Sequence, residues 1–507
     1  LPNSPLSIPP TDFYDQRLIS NVHPSQWCNP EPASRYNLVV VGGGTAGLVS
    51  AAGAAGLGAR VALVERELMG GDCLNSGCVP SKALLRAARA CADIRRAEVY
   101  GIAIPAETDI DFSKAMERMR RLRAELSARD SATRFRDLGV DVFIGDGRFS
   151  GPDSLAVKGQ TLRFSRAVIA TGSRPMAPAI SGLSEAGYLT NETVFSLTSR
   201  PQRLAVIGAG PLGCELAQAF ARFGSRVVLL EAEARILPRE DPDAAQVLER
   251  ALSRDGIEII TNARIKRVAG KGGEKLISLE NEHTRREIAC DALLLGAGRV
   301  PRVEGLNLEA AGIKYDGRAG VKVDDHLRTS NRRIFAAGDV CSVYKFTHMA
   351  DAMARVVIRN ALFLGRERVS ELIVPWCTYT EPEIAHVGLH EHEAREREIP
   401  VRTFIQPLSE VDRAVLDGET EGFVKIHLRE NTDQIVGATV VASHAGEMIS
   451  ELTLAISGKL GLSALGRTIH PYPTQAEAIH KLSDAYNRTR LTPRVNWLLT
   501  KWLAWRR

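Results

Sequence analysis

The chain of 507 residues carries 65 Lys/Arg against 60 Asp/Glu and is 44% hydrophobic, an ordinary balance for a globular enzyme of about three domains. Seven of the cations and only one acid (Asp484) fall in residues 481–507, so the body is close to neutral and nucleic-acid binding is not expected. The eight cysteines are too sparse for a secreted disulfide framework, and no run of 18 apolar residues predicts a spanning helix, so a reducing cytoplasm is the expected compartment.

Residues 1–34 hold seven prolines and no apolar signal core, which predicts an extended N-terminal arm and no secretory leader; a start at Leu1 reads as a trimmed or processed product. From Leu38 runs "LVVVGGGTAGLVSAAGAAGLGARVALVER", and 166 residues on, from Leu204, runs "LAVIGAGPLGCELAQAFARFGSRVVLLEA". Each reads as a buried strand, a glycine turn, an Ala-rich helix and a second strand ending in an acid, the βαβ dinucleotide-binding unit twice over. Gly42 and Gly208 make the tight turn. Gly44 and Gly210 let the backbone approach a pyrophosphate, and Gly47 and Gly213 allow close helix–strand packing. Glu65 and Glu231 stand where a carboxylate accepts from ribose hydroxyls. Two such units in one chain read as an electron relay between two cofactors.

Between the two units lies "GGDCLNSGCVPSK", residues 70–82, with Cys73 and Cys78. Such a pair is open to several readings: a structural disulfide, half a zinc site, a redox couple or two small core residues. No second Cys or His pair stands at ligand spacing for zinc. A helix opening around Pro80 would set both thiols near a positive helix end and lower a thiol pKa. Cys91 and Cys214 fall on predicted helices and read as core residues.

With "ATGSRP" (170–175), "GAGRVP" (296–301), "FAAGDV" (335–340) and "PYPTQAE" (471–477), the order and spacing of motifs resemble the pyridine nucleotide–disulfide oxidoreductases over residues 36–490. These flavoenzymes include dihydrolipoamide dehydrogenase, glutathione reductase and mercuric reductase. The resemblance implies an α/β fold with two Rossmann-like dinucleotide-binding domains and a C-terminal α+β dimerisation domain. The implied boundaries are 35–175 with 299–368 for FAD, 176–298 for NAD(P), 369–490 for dimerisation, and 491–507 for a basic amphipathic helix. It implies FAD held by the first fingerprint, with Thr171, Gly172, Gly338 and Asp339, and a helix from Thr347 facing the flavin. A nicotinamide cofactor is implied on the second fingerprint, with Gly298. Glu231 favours NADH by repelling a 2′-phosphate, while Arg235 and Arg239 leave NADPH as the alternative. The same resemblance makes Cys78 the flavin-side thiol, Cys73 the exchanging thiol, and Lys82–Glu215 an ion pair beside the flavin.

Three departures bear on the acceptor. Disulfide reductases of this family carry His-Pro followed by Glu; aligning Pro473 and Glu477 puts Tyr472 in the histidine's place, as in mercuric reductases. His470, two residues earlier, reads as a packing or surface histidine, with a role as base the alternative. Glu381 in "YTEPE" stands where lipoamide enzymes usually have His, and Cys377 is a candidate extra thiol. The tail "NWLLTKWLAWRR" has no cysteine pair for metal delivery and no metal-binding domain precedes the first fingerprint, which argues against efficient Hg(II) handling.

On a helix, Val495, Leu498, Leu499, Trp502 and Trp505 form one apolar stripe flanked by cations. Docking on its own dimer, peripheral membrane contact at an inner face, and a partner protein are the three readings. The expected protein is thus a homodimeric FAD enzyme passing electrons from NADH to a Cys73–Cys78 disulfide, with a small-molecule or protein disulfide, a persulfide or a soft metal ion as acceptor. A genuine mercuric reductase and a membrane-associated redox subunit or sensor are the alternatives. No resident metal is expected.

Overall fold

In the computed structural model, residue 8 and residues 12–105, 109–281 and 284–507 are described. They form two compact units, residues 1–232 with 260–372, and residues 233–259 with 373–507.

The first unit contains both fingerprint folds. In the first, strand Tyr36–Val41 leads through Gly42–Gly44 into helix Thr45–Gly56 and returns as strand Val61–Glu65, with Leu38 opposite Val61 in a parallel pair. Parallel strands Val140–Ile144, Gln160–Ile169 and Ile334–Ala336 extend this sheet, and the hairpin strands Gly147–Gly151 and Ser154–Val157 continue it antiparallel. The last parallel strand comes from more than 160 residues along the chain, and its apolar residues seal the core around Tyr36, Phe143 and Phe164. The second fingerprint repeats the plan with parallel strands Arg203–Ile207, Arg226–Leu230 and Ala292–Leu295 around helix Pro211–Arg222. A separate antiparallel sheet, Arg264–Lys271, Glu274–Asn281 and Thr284–Cys290, adds Val268 and Ile277 to its core.

The arm departs from expectation. Residues 13–22 form a helix capped by Asp12, whose side chain accepts from Asp15 N. Leu18 and Val22, four apart, are fully buried on one face, which overcomes the prolines on either side. Beyond the helix the arm stays extended but anchored. Trp27 Nε1 donates to Val142 O (3.0 Å), and Asn29 exchanges two hydrogen bonds with the backbone of Ile144 (2.9 and 3.3 Å). The arm thus covers the open edge of the first sheet, where unpaired backbone groups would otherwise stand.

The second unit is a five-stranded antiparallel sheet, ordered Pro375–Thr378, Glu383–Gly388, Ile435–Ala442, Phe423–Arg429, Val401–Pro407. Helices Ala445–Ser457 and Glu477–Arg490 pack against it over a core that includes Ile426, Val440 and Leu482. Residues 233–259, assigned to the NAD(P) domain by the sequence expectation, group with this unit. The reason is polar: buried Asp241, at the start of helix Pro242–Arg254, accepts from Lys425 Nζ (3.3 Å) and Thr439 Oγ1 (3.0 Å) and faces His390 Nδ1 at 3.2 Å. A carboxylate so enclosed is held well below its usual range by its partners, against the desolvation that opposes them. The helix Pro493–Trp505 forms as expected and buries none of its residues.

Candidate active site

The cysteines are positioned by two short helices at a bend. Gly70 and Gly71, both at positive φ, turn the chain into helix Gly71–Asn75, which carries Cys73; Gly77 then caps helix Cys78–Arg95. That helix begins at Cys78 itself, two residues before the expected opening around Pro80. Cys78 is its first residue, where unpaired N–H groups and the positive dipole end favour a thiolate.

Both thiols are free, and Cys78 Sγ lies 3.4 Å from Thr347 Oγ1. The neighbouring Cys78 and burial push the Cys73 thiol well up, while Cys73, Thr347 and the Lys82 ammonium hold Cys78 below the ordinary thiol range against burial. Thr347 opens helix Thr347–Leu362, so a second helix N-terminus meets the same thiol. Lys82, one turn beyond Cys78, pairs with buried Glu215 (Nζ–Oε2 2.8 Å) on the helix of the second fingerprint. These two helices are tied again where Arg95 Nη2 donates to Arg222 O at 2.7 Å.

A shell of residues that the motif reading left out holds the loop. Asp72, beside Cys73, accepts from Ser76 Oγ (2.6 Å) and Asn191 Nδ2 (2.9 Å) and pairs with Arg299 (2.7 Å). Arg299 Nε also donates to Ser173 Oγ (2.8 Å), which donates to Asp339 Oδ2 (2.6 Å). On the other side Arg123 Nη1 donates to the Asn75 carbonyl (2.8 Å), and its Nη2 pairs with Asp15 of the arm helix (2.7 Å). Arg299 and Ser173 stood inside quoted motifs; Arg123 and Asp15 carried no sequence signal.

The nucleotide cradles match the two fingerprints residue for residue. A Cβ at Gly42 would fall 2.4 Å from Ala170 O, and one at Gly208 2.6 Å from Gly296 O; Gly47 and Gly213 lie closer still to the turns they pack on. At Gly210 a Cβ would meet nothing within 4 Å, so open space stands at the helix start where a pyrophosphate would approach. Helices Thr45–Gly56 and Pro211–Arg222 have no side-chain cap, leaving their first N–H groups for a ligand. Glu65 accepts from Gly43 N (2.5 Å) and Glu231 from Ala209 N (2.6 Å), equivalent contacts in the two folds. Thr171, Gly172, Gly298, Gly338 and Asp339 fall in the same unit, with Gly172, Gly298 and Gly338 all at positive φ. This donor set fits two dinucleotides.

Tyr472, His470 and Glu477 belong to the second unit, where Asp412 and Lys481 link Tyr472 to Glu477 and His470 faces Glu451 instead. Tyr472 is 70% exposed and donates to Asp412 Oδ2 (2.9 Å), a bond that raises its phenol further. His470 is half-buried, with Nε2 at 2.9 Å from Glu451 Oε1 and Nδ1 at 3.1 Å from Thr468 O, so both ring nitrogens face acceptors. Glu477 opens helix Glu477–Arg490, with Lys481 Nζ at 3.8 Å. Cys377 is half-buried beside Gly446 in this unit, and Arg235 Nη2 is engaged by the carbonyls of Pro238 and Glu240.

Residues 36–354 match the family described as pyridine nucleotide-disulphide oxidoreductase, and residues 374–483 match its dimerisation domain. The mercuric reductase of Bacillus cereus is 36% identical over 89% of this chain and 71% of its own. The dihydrolipoyl dehydrogenase of Thermus scotoductus is 35% identical over 89% of this chain and 98% of its own. The HOCl-induced flavoprotein disulfide reductase RclA of Escherichia coli, a solved structure, superimposes with a TM-score of 0.79 at 30% identity, covering 89% of this chain and 99% of that one. RclA has also been solved as a Cu(II) complex, at 30% identity and a TM-score of 0.78 over 88% of this chain and 99% of that one.

Proposed function

The chain belongs to the pyridine nucleotide–disulphide oxidoreductase family, and on that premise we propose that it passes electrons from NADH through FAD to the Cys73–Cys78 pair, and on to a soft metal ion or a sulfur acceptor. The observation that carries this reading is the Cys73–Cys78 pair with Cys78 at two helix N-termini and against Thr347, braced by Lys82–Glu215 between the two dinucleotide folds. FAD would be held by the first fingerprint with Thr171, Gly172, Gly338 and Asp339, and would supply, from the nicotinamide's hydride, the two electrons that open a Cys73–Cys78 disulfide.

The chain's own residues do the rest. Opening the disulfide to this state takes two electrons and one proton; Cys73 holds the proton, and Cys78 is kept as a thiolate by Cys73, Thr347 and Lys82. With a disulfide acceptor, the Cys73 thiolate attacks one sulfur and releases one thiolate. Cys78 then attacks the Cys73 sulfur, reforming the pair and releasing the second thiolate. That route needs a base to take the Cys73 proton. Tyr472, with its phenol raised by Asp412, is a donor at neutral pH rather than a base, and His470 has both nitrogens turned to acceptors. A soft cation relaxes that requirement, because it displaces the thiol proton on binding sulfur. This favours a metal acceptor, in line with the mercuric reductase relatives, and makes Hg(II) reduction the second reading. The dimerisation domain supports a homodimer. NADH is preferred because the Glu231 carboxylate repels a 2′-phosphate and Arg235 is engaged by backbone carbonyls.

The test is the purified yellow protein mixed with NADH or NADPH, then with Hg(II), Cu(II), lipoamide or glutathione disulfide. NADH should bleach the flavin faster than NADPH, and a soft metal should turn over faster than either disulfide. C78S should still bleach but lose acceptor turnover. An unbleached flavin refutes the reading, and turnover of lipoamide alone refutes its metal branch.

A further inference from the structure

Helix Pro493–Trp505 folds on its own terms. Thr492 caps it by accepting from Val495 N, Pro493 sits at its first position, and none of its residues is buried. Its stripe of Val495, Leu498, Leu499, Trp502 and Trp505 is exposed, Trp505 at 76%. After Asp484 the sequence holds six Lys/Arg and no acid. Cations stand beside indoles: Lys501 Nζ is 6.0 Å from the Trp497 ring and the Arg506 guanidinium 6.0 Å from the Trp502 ring. Exposed apolar residues interspersed with indoles and cations on one short helix match the boundary between lipid headgroups and acyl chains.

We propose that this helix lies flat on an anionic lipid surface and holds the enzyme at a membrane face. Thirteen residues span about 20 Å, too short to cross a hydrocarbon core of about 30 Å, which leaves the in-plane arrangement. Charge selects lipid over a second copy of this chain. A two-fold contact of the segment with itself would set six cations against six, and the matched dimerisation domain ends at residue 483, before the helix begins.

The experiment sediments the FAD-loaded full-length protein with vesicles of phosphatidylcholine alone or of phosphatidylcholine and phosphatidylglycerol in equal parts. Sedimentation is expected with the anionic vesicles, with a blue shift of tryptophan emission, and should weaken about tenfold in high salt. The double variants W502S/W505S and R494Q/K501Q should each lower partitioning by about tenfold or more, and removal of residues 491–507 should abolish it, while NADH still bleaches the flavin of every variant. No sedimentation of the full chain, or sedimentation unchanged by the deletion, overturns the proposal. So does a deletion that turns a dimer into a monomer by light scattering, which would assign the helix to a second copy. Capture of an acidic protein without lipid partitioning would equally overturn it. Loss of bleaching in the full-length protein would sink the electron-transfer reading and leave the lipid result standing.

Discussion

Replacing Asp15 by Asn keeps the shape of the side chain and removes its charge, which isolates what the arm helix contributes. Asp15 and Arg123 are each 1% exposed and lie 2.7 Å apart; Arg123 Nη1 is bonded to the Asn75 carbonyl, and its Nε has no hydrogen-bond partner. D15N therefore leaves a buried guanidinium without its counter-ion, a loss of about 3–5 kcal/mol for a fully buried pair. R123M takes the guanidinium from the buried Asp15 carboxylate, at similar cost. The double variant removes both charges and should recover all but about 1–2 kcal/mol, a coupling of several kcal/mol. Urea unfolding of the FAD-loaded protein, followed by flavin release, measures all three. Because Arg123 grips the backbone between the two cysteines, alkylation of Cys73 in the reduced enzyme should also quicken in D15N. A single-variant cost under about 1 kcal/mol, or additive singles, would show that the arm merely decorates the fold.

Three further outcomes are expected. In reduced enzyme, iodoacetamide should label Cys78 at neutral pH faster than an ordinary thiol with pKa about 8.5, because its pKa is lowered; K82M and T347A should each shift the labelling profile to higher pH. E215Q should cost about 1–3 kcal/mol, less than a fully enclosed pair because Lys82 keeps partial solvent contact, and should slow NADH bleaching; normal bleaching rates would remove the pair from the hydride site. His386, fully buried, bonded to Thr439 and pushed well below 6.5 by desolvation, binds a proton more readily unfolded than folded. Stability is therefore complete above about pH 6.5 and falls as the pH drops, by up to roughly 1.5 kcal/mol at one unit below; melting temperature from pH 7.5 to 5.5 should decline in wild type and less in H386Q.

The cradles were legible because their constraint is local. Only glycine fits a φ of +108° at residue 42 with Ala170 O 2.4 Å from any Cβ, so the residue type itself records the contact. The repeat at residues 38 and 204 therefore located both dinucleotide folds, and the resemblance of residues 70–82 to the family's motif located the thiols and their cation. The arm was misread because seven prolines outweighed little more than one turn of periodicity at Leu18 and Val22. Arg299, Asn191 and Arg123, which fix the redox loop, sit 227, 119 and 48 residues from their partners Asp72 and Asn75.

The sequence by itself determined what backbone sterics write into one residue type: two glycine turns and two helix starts, with a thiol pair near a third. Tertiary structure alone decided which charges meet out of water: Asp15 with Arg123, and Asp241 with Lys425 and His390. A buried charge is tolerable only beside its partner, and that partner is chosen by the packing of distant segments, which leaves no local pattern in the chain.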